Sequence, residues 1–495
     1  MPSSLTSRVQ SGVIWNTTSV ASTYLLGLVR SVIMARFLLA EDFGLFGMAL
    51  TVVTGLAALS NIGLDVSVIK SKFKDDEALA KHLDTLWTVD LIRRLLLGLL
   101  MLALARPAAK FYGEPRVSQL LLVLSVLPLI QGFQNIGLMI HRRGVRFQKI
   151  VWLELSTNLL TAIATIALVL WTRNVWALVF SQLVSAFIGV ALSYAFHAYR
   201  PRLRLDKSSL SVALEFGKYA FVMGVLGYIM SMADNVLIGR LYSAALLGTY
   251  VIAYNLAVLP LHGVSNAIVS VTFPAYTEIA GGETKRLERA FVRVFAVSSI
   301  LLTLTTALLL LLGEEIVVFL YGGKWRAAGT ILRILALLVF CKGHAMLVSP
   351  LVVSIRGIAP DAKFKLFEAV TFLILLYPLT TRYGALGAAW AGAIAFFVMM
   401  INRLRVAVRL LPNISSTILR TILSAIAACV LGVVLGDVAL RSVASVPGRL
   451  LLGGVVVAVI VTGTMLLLSL QLRVELARVF KYSSDLLGPR ASRPQ

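Results

Sequence analysis

Long apolar runs alternate with short polar connections along the whole chain. A helix needs about 20 mostly apolar residues to cross a bilayer. By that measure the pattern predicts fourteen spans, near 13–37, 43–69, 87–109, 117–140, 150–171, 175–198, 213–239, 245–275, 290–312, 327–354, 364–381, 384–408, 417–440 and 449–470. Several exceed the minimum, so tilt or kinking is expected, with Pro128 and Pro260 as mid-span candidates. Thr381-Arg382-Tyr383 alone separates the eleventh span from the twelfth. The first apolar stretch follows the polar Met1–Gln10, is broken by Asn16-Thr17-Thr18-Ser19 and lacks a small-residue cleavage site. It is expected to stay as a span rather than leave as a signal peptide.

Composition makes the membrane reading firm. The 495 residues are 59% hydrophobic and 14% charged, with mean hydropathy +0.89. Soluble domains are about 45–50% apolar and about 25% charged. A soluble enzyme, a disordered tail, collagen and a disulfide scaffold are all excluded. The net charge of +23 would suggest nucleic acid in a soluble chain. In a bilayer it signifies basic loops against anionic lipid, and no nucleic-acid partner is expected. Cys341 and Cys429 lie in apolar runs, with no metal-ligand spacing.

The positive-inside rule orients the spans. Even-numbered connections and the two ends carry thirty cations, among them Lys70, Lys72 and Lys74, Arg142, Arg143 and Arg146, Arg200, Arg202 and Arg204, and Arg403, Arg405 and Arg409. Odd-numbered connections carry eleven. Both termini are therefore expected in the cytoplasm, in a multi-pass membrane protein.

Sequence motifs remove most enzymes. The chain has no phosphate-binding glycine loop, no H-E-x-x-H and no C-x-x-C, so neither a cofactor nor a metal is expected, and no catalytic residue is assigned. No connection is long enough for a soluble domain, which disfavours a polysaccharide polymerase. A transporter, a channel or a structural membrane protein remains.

An internal repeat favours the transporter. The stretch from Ser31 to Ala49 lies over Asn235 to Ala253 at a constant offset of 204, with five of nineteen residues identical: Val32, Arg36, Ala40, Gly44 and Ala49. Lys149-x4-Glu154 lies over Lys363-x4-Glu368. Six spans separate equivalent positions, so the copies share one orientation. The expected fold is all-α and polytopic, with about fourteen helices. It has an N-terminal lobe at 1–205 (spans one to six) and a C-terminal lobe at 206–410 (seven to twelve) around a central cavity. Two additional helices at 411–470 and a basic cytoplasmic tail at 471–495 complete it.

Ionisable groups inside spans mark substrate paths or structural pairs. The cations so placed are Arg30, Arg93, Arg94, Arg333 and Lys342; the acids are Asp65, Asp90, Glu154, Asp234 and Glu368. Arg30 and Lys342 are the foremost cavity candidates, with Arg93, Arg94 and Asp234 beside them. Asp65, Asp90, Asp234, Glu154 and Glu368 are candidate coupling or gating acids. Under the 204 offset Arg30 falls on Asp234, so the two are expected to meet or exchange partners across the cavity. Each of these residues has a plainer reading, as an ion pair or a snorkelling side chain. Net positive charge in a low-dielectric cavity suits an anionic cargo such as a diphosphate.

Several stretches carry a family likeness: Arg36-Phe-Leu-Leu-Ala-Glu-Asp-Phe-Gly-Leu-Phe-Gly-Met-Ala49, Asn61-Ile-Gly-Leu64, Phe111-Tyr-Gly-Glu-Pro115, Gln131-Gly-Phe-Gln-Asn135 and Tyr383-Gly-Ala-Leu-Gly-Ala-Ala-Trp390. They resemble bacterial polysaccharide flippases of the Wzx type, in the multidrug/oligosaccharidyl-lipid/polysaccharide exporter superfamily. The likeness runs over most of 8–410. It implies an inner-membrane protein that translocates undecaprenyl-diphosphate-linked oligosaccharide units to the periplasmic face through a cationic cavity. The implied partners are that lipid-linked oligosaccharide, membrane lipids, a polysaccharide polymerase with its export machinery, and a proton or sodium ion for coupling. Asp65-Val-Ser-Val-Ile-Lys70 departs from the family pattern, which is neutral and ends in Gln there. The alternatives are a cation-coupled drug exporter, which should carry an acid where span one has Arg30, and a membrane polymerase.

Overall fold

The computed structural model describes residues 22–60, 75–143, 147–280 and 284–468. These are almost wholly helical, and no strand occurs among them. That follows from the solvent: in hydrocarbon, each backbone polar group must be paired within its own segment. The first helix, α1, occupies 22–37, followed by α2 (Ala40–Leu59), α3 (Asp76–Tyr112), α4 (Arg116–Leu124), α5 (Val126–Gly132) and α6 (Leu138–Arg143). Next come α7 (Phe147–Thr172), α8 (Trp176–Phe196), α9 (Lys207–Leu241), α10 (Ala244–Ala280), α11 (Thr284–Tyr321) and α12 (Arg326–Arg356). The series closes with α13 (Ile358–Leu410), α14 (Ser415–Leu440) and α15 (Val446–Leu468).

Among the described residues ten helices are long and apolar enough to cross a membrane. The segment 116–132 is a shorter apolar pair, split at Ser125. Pro128 explains the split, because it has no N–H to offer Leu124 in the preceding turn. α10 stays helical through Pro260, so that residue does not end its helix. α13 turns at Gly384 (φ 59°, ψ −137°), three residues after the expected start of the connection. A Cβ on Gly387 would lie 1.9 Å from the Leu379 carbonyl oxygen, so the chain turns tightly at this point. Tyr242 Oη donates to the Thr380 carbonyl (2.8 Å) just before that turn.

Two compact units divide the chain. The first comprises Met1–Asn255, Leu320–Ala328 and Lys365–Ala391; the second comprises Leu256–Phe319, Gly329–Phe364 and Gly392–Gln495. In the first, α3 starts on an Asp75 cap, whose carboxylate accepts from Ala78 N at 2.7 Å. It ends at Gly113, whose φ of 68° lets Glu114 N reach Ala109 O at 3.0 Å. In the second, the α14–α15 hairpin lies on α11. Gly436 and Gly453 face Leu311 and Leu312 so closely that a Cβ would come within 2.4 and 2.9 Å of their methyls. Polar contacts fasten both ends of this packing: Asn413 Nδ2 donates to Glu288 (3.0 Å) and Arg449 pairs with Glu315 (3.0 Å).

Candidate functional site

The first unit brings equivalent positions of the internal repeat face to face. Ala40-x3-Gly44 opens α2 and Ala244-x3-Gly248 opens α10, each a pair of small residues one turn apart. A Cβ on Gly44 would sit 1.7 Å from the Ala244 carbonyl oxygen, and one on Gly248 would sit 1.8 Å from that of Ala40. The two helices therefore cross backbone on backbone, each glycine under the alanine that begins the other copy's helix. Only a residue without Cβ fits there.

Side chains complete this closure. α1 ends with carbonyls that its own helix cannot satisfy. Trp325 Nε1 donates to Ala35 O (2.8 Å), while Lys324 Nζ donates to Arg36 O (3.0 Å) and Leu38 O (2.7 Å). Arg36 Nε returns a bond to Leu320 O (3.0 Å), and the Trp325 ring meets Phe43 edge-on at 5.4 Å. On the other copy, Arg240, the equivalent of Arg36, lies 5.6 Å from the Phe111 ring centroid. Tyr112 packs against Gly239 and shares a 2.6 Å hydrogen bond with Thr51. These turns contain a third repeat match: Tyr112-Gly113 and Tyr321-Gly322 each end a long helix on a glycine of positive φ, 68° and 100°. Outside the helices, Arg116 bridges Glu41 and Glu114, and its guanidinium holds the Glu114 carboxyl below the usual carboxylate range.

The expected charged residues fall into separate settings. Arg30 is half-buried on α1, and its Nε is buried with no hydrogen-bond partner among the described residues. Asp234 is buried on α9 and accepts from Tyr250 Oη (2.6 Å) and Asn235 N (2.8 Å). Among the described residues, Arg30 and Asp234 do not form the expected ion pair. Arg93 and Arg94 share Asp90: Arg93 Nε reaches one carboxylate oxygen at 3.0 Å and Arg94 Nε the other at 2.7 Å. Arg93 also donates to Ser60 Oγ (2.8 Å) and Arg94 to Gln131 (2.7 Å). The group keeps one net positive charge. It borders an open, apolar groove of about 360 Å³ lined by Ile92, Leu96 and Leu100.

In the second unit Lys342 is half-buried on α12, with Nζ 4.9 Å from the Phe396 ring centroid. Arg333 lies 4.0 Å from Glu315, the acid that also receives Arg449. Glu368 is buried on α13, whereas its repeat equivalent Glu154 is exposed on α7. Asp65 lies outside the described residues.

Sequence reasoning missed three features here. Arg403, counted as a loop cation, is buried and pairs with Asp361 at 2.9 Å; Asp361 also accepts from Ser349 Oγ at 2.9 Å. His344 is wholly enclosed, between Phe340 O (2.8 Å) and Ser299 Oγ (3.1 Å). The role of Gly44 and Gly248 was also missed, although the repeated Ala-x3-Gly was a visible signal.

Comparison with known proteins agrees with this architecture. The chain is a multi-pass helical membrane protein with the fold of known lipid and drug transporters. It aligns with a structure titled "Lipid II flippase MurJ, inward closed conformation" at TM-score 0.70 and 15% identity, over 90% of this chain and 98% of that one. An inward-facing MATE-family multidrug resistance transporter aligns at TM-score 0.64 and 16% identity, over 78% and 94%. Residues 33–330 match the family described as "Polysaccharide biosynthesis protein", and the chain belongs to that family. Among its relatives, the succinoglycan biosynthesis transport protein ExoT of Rhizobium meliloti (strain 1021) is 27% identical over 72% of this chain and 70% of that protein. The lipopolysaccharide biosynthesis protein WzxC of Escherichia coli (strain K12) is 24% identical over 78% and 77%.

Proposed function

We propose that this protein carries lipid-linked oligosaccharide units across the bacterial inner membrane by alternating access, its two six-helix repeats rocking about a cationic cavity. The observation that carries the mechanism is the reciprocal contact of Gly44 with Ala244 and Gly248 with Ala40. Two equivalent helix starts pressed together at one end describe one limit of a rocking motion, and their separation would open that end. On the orientation set by the loop cations, with both termini cytoplasmic, this end faces outward. The family and the relatives named for polysaccharide transport support the cargo.

Chemistry supports an anionic headgroup. The unpartnered Arg30 Nε and the net positive Asp90–Arg93–Arg94 group leave cationic hydrogen-bonding capacity that diphosphate oxygens match. In this reading the diphosphate-sugar head crosses inside the protein while the polyprenyl tail stays in lipid. The backbone bonds of the helices persist throughout, so the motion is rigid-body. The fourteen-span count, the lobes at 1–205 and 206–410, coupling to a proton or sodium gradient, and hand-over to a polymerase belong to the same proposal.

The decisive experiment is deletion of the gene in a strain without a redundant flippase. Lipid-linked repeat units should accumulate on the cytoplasmic leaflet, and the intact gene should clear them. Undiminished repeat units on the outer face of the deletion strain would end the assignment.

A further inference from the structure

Between α8 and α9 the chain runs as a non-helical strap over 197–206. It is laid along the start of α3 by its backbone. Arg202 N donates to Asp84 Oδ1 (3.0 Å), Arg204 N to Thr88 Oγ1 (2.9 Å) and Asp206 N to Thr85 Oγ1 (3.2 Å). Tyr199 Oη adds a 2.6 Å bond to Asp84, and Asn135 Nδ2 holds the Tyr199 carbonyl at 2.7 Å. Every second amide thus points at α3. In extended chain that periodicity sets Arg202 and Arg204 on one face and Leu203 and Leu205 on the other.

None of these four side chains is used by the fold. Leu203 and Leu205 are 74% and 64% exposed. Arg202, Arg204 and Lys207 are exposed; the Arg204 charge lies near Asp206 and the Arg202 charge near Tyr199, without a side-chain hydrogen bond or salt bridge from either arginine among the described residues. The neighbouring acids are already engaged: Asp84 accepts the bonds above, and Asp206 caps α9 through Ser209 N (2.9 Å). Thr85 and Thr88 flank the start of the span expected at 87–109, and on that expectation the strap lies where hydrocarbon gives way to headgroups. Apolar side chains alternating with unpaired cations at that depth match a surface with phosphates beside acyl chains.

We propose that the strap is a preformed binding edge for anionic phospholipid headgroups, with Arg202 and Arg204 on the phosphates and Leu203 and Leu205 in the acyl layer. This surface function does not depend on the cargo proposed above. Because the backbone is already fixed by α3, binding orders only side chains.

The test uses the full-length protein in nanodiscs of phosphatidylcholine mixed with phosphatidylglycerol, with retained lipids counted by native mass spectrometry. Arg202→Gln with Arg204→Gln should lower phosphatidylglycerol enrichment by up to about thirtyfold, as expected for two cations lost at a leaflet surface. Lys285→Gln with Arg286→Gln removes the same charge from exposed positions at the start of α11 and should change it little. Unchanged enrichment in the strap variant, or an equal loss in the α11 variant, would overturn the proposal. A spin label on Leu203→Cys, with Cys341 and Cys429 buried, gives a check that leaves the arginines in place. Collision with a lipid-soluble relaxant should rise when phosphatidylglycerol is present; a label facing water in both lipid mixtures would refute the edge.

Discussion

Replacing Gly44 or Gly248 by alanine tests the closure at its most constrained point. An ordinary contact needs 3.4 Å or more, against 1.7 Å from an added Cβ to the Ala244 oxygen. The obstacle is backbone on both sides, so no rotamer relieves it, and the helices must part by roughly 1.5 Å. Overpacking of this kind costs about 1–3 kcal/mol, and here the cost falls on the closed arrangement alone. A differential of that size shifts a two-state equilibrium by about 5- to 150-fold. The two substitutions load one crossing, so the double variant should shift the balance by less than the product of the singles. Spin labels on Leu39 and Ser243, exposed positions related by the repeat offset, report the separation by pulsed electron resonance. The native protein should give a short distance and each alanine variant a longer principal population, with helical content unchanged. Identical distance distributions in all forms would show that these backbones do not touch and would remove the structural basis of the proposed mechanism.

Three further outcomes follow from named contacts. Arg403→Ala removes the buried guanidinium that pairs with Asp361 and should lower stability by up to about 3–5 kcal/mol, whereas Arg403→Met with Asp361→Leu should recover most of the loss; thermal unfolding in detergent separates the two. Arg30→Gln should reduce clearance of lipid-linked repeat units by tenfold or more with little change in melting temperature, since Arg30 Nε has no hydrogen-bond partner among the described residues; full clearance by this variant would remove Arg30 from the path. The Asp206 carboxyl is drawn down to about 2 by bonds from Ser208 and Ser209. Its folded value lies below its unfolded one, so its contribution is complete above the unfolded value near 3.9 and disappears as pH falls through about 2. Hydrogen exchange at the first turn of α9 should therefore show no cap-dependent change between pH 8 and about 5, and loosening within that range would contradict it.

Helical class and the position of each apolar segment were legible because hydrocarbon tolerates little else. The Ala40–Gly44 and Ala244–Gly248 match was legible too, yet the sequence could not say that the copies touch. Small residues one turn apart allow a close crossing without naming the partner. Charge was read least well. Counting loop cations treats each as solvated, so Arg403 passed for a loop residue although it is buried against Asp361 and Phe364. The repeat offset likewise set Arg30 over Asp234, but equivalence is a symmetry relation and carries no distance. Asp234 is met by Tyr250, sixteen residues along the chain. Register within a helix can be read from a sequence; the facing side chain of another helix cannot.

The caps on α1 bear on how the closed end gives way. Three carbonyls, those of Ala35, Arg36 and Leu38, hold donors from Lys324 and Trp325. Pulling those donors away strands oxygens that hydrocarbon cannot solvate. Water or a hydroxyl-rich sugar must arrive as the donors leave, and the exchange is then nearly even in free energy. Hydration is therefore a precondition of parting rather than its result, and the rate of opening should track how readily this extremity wets.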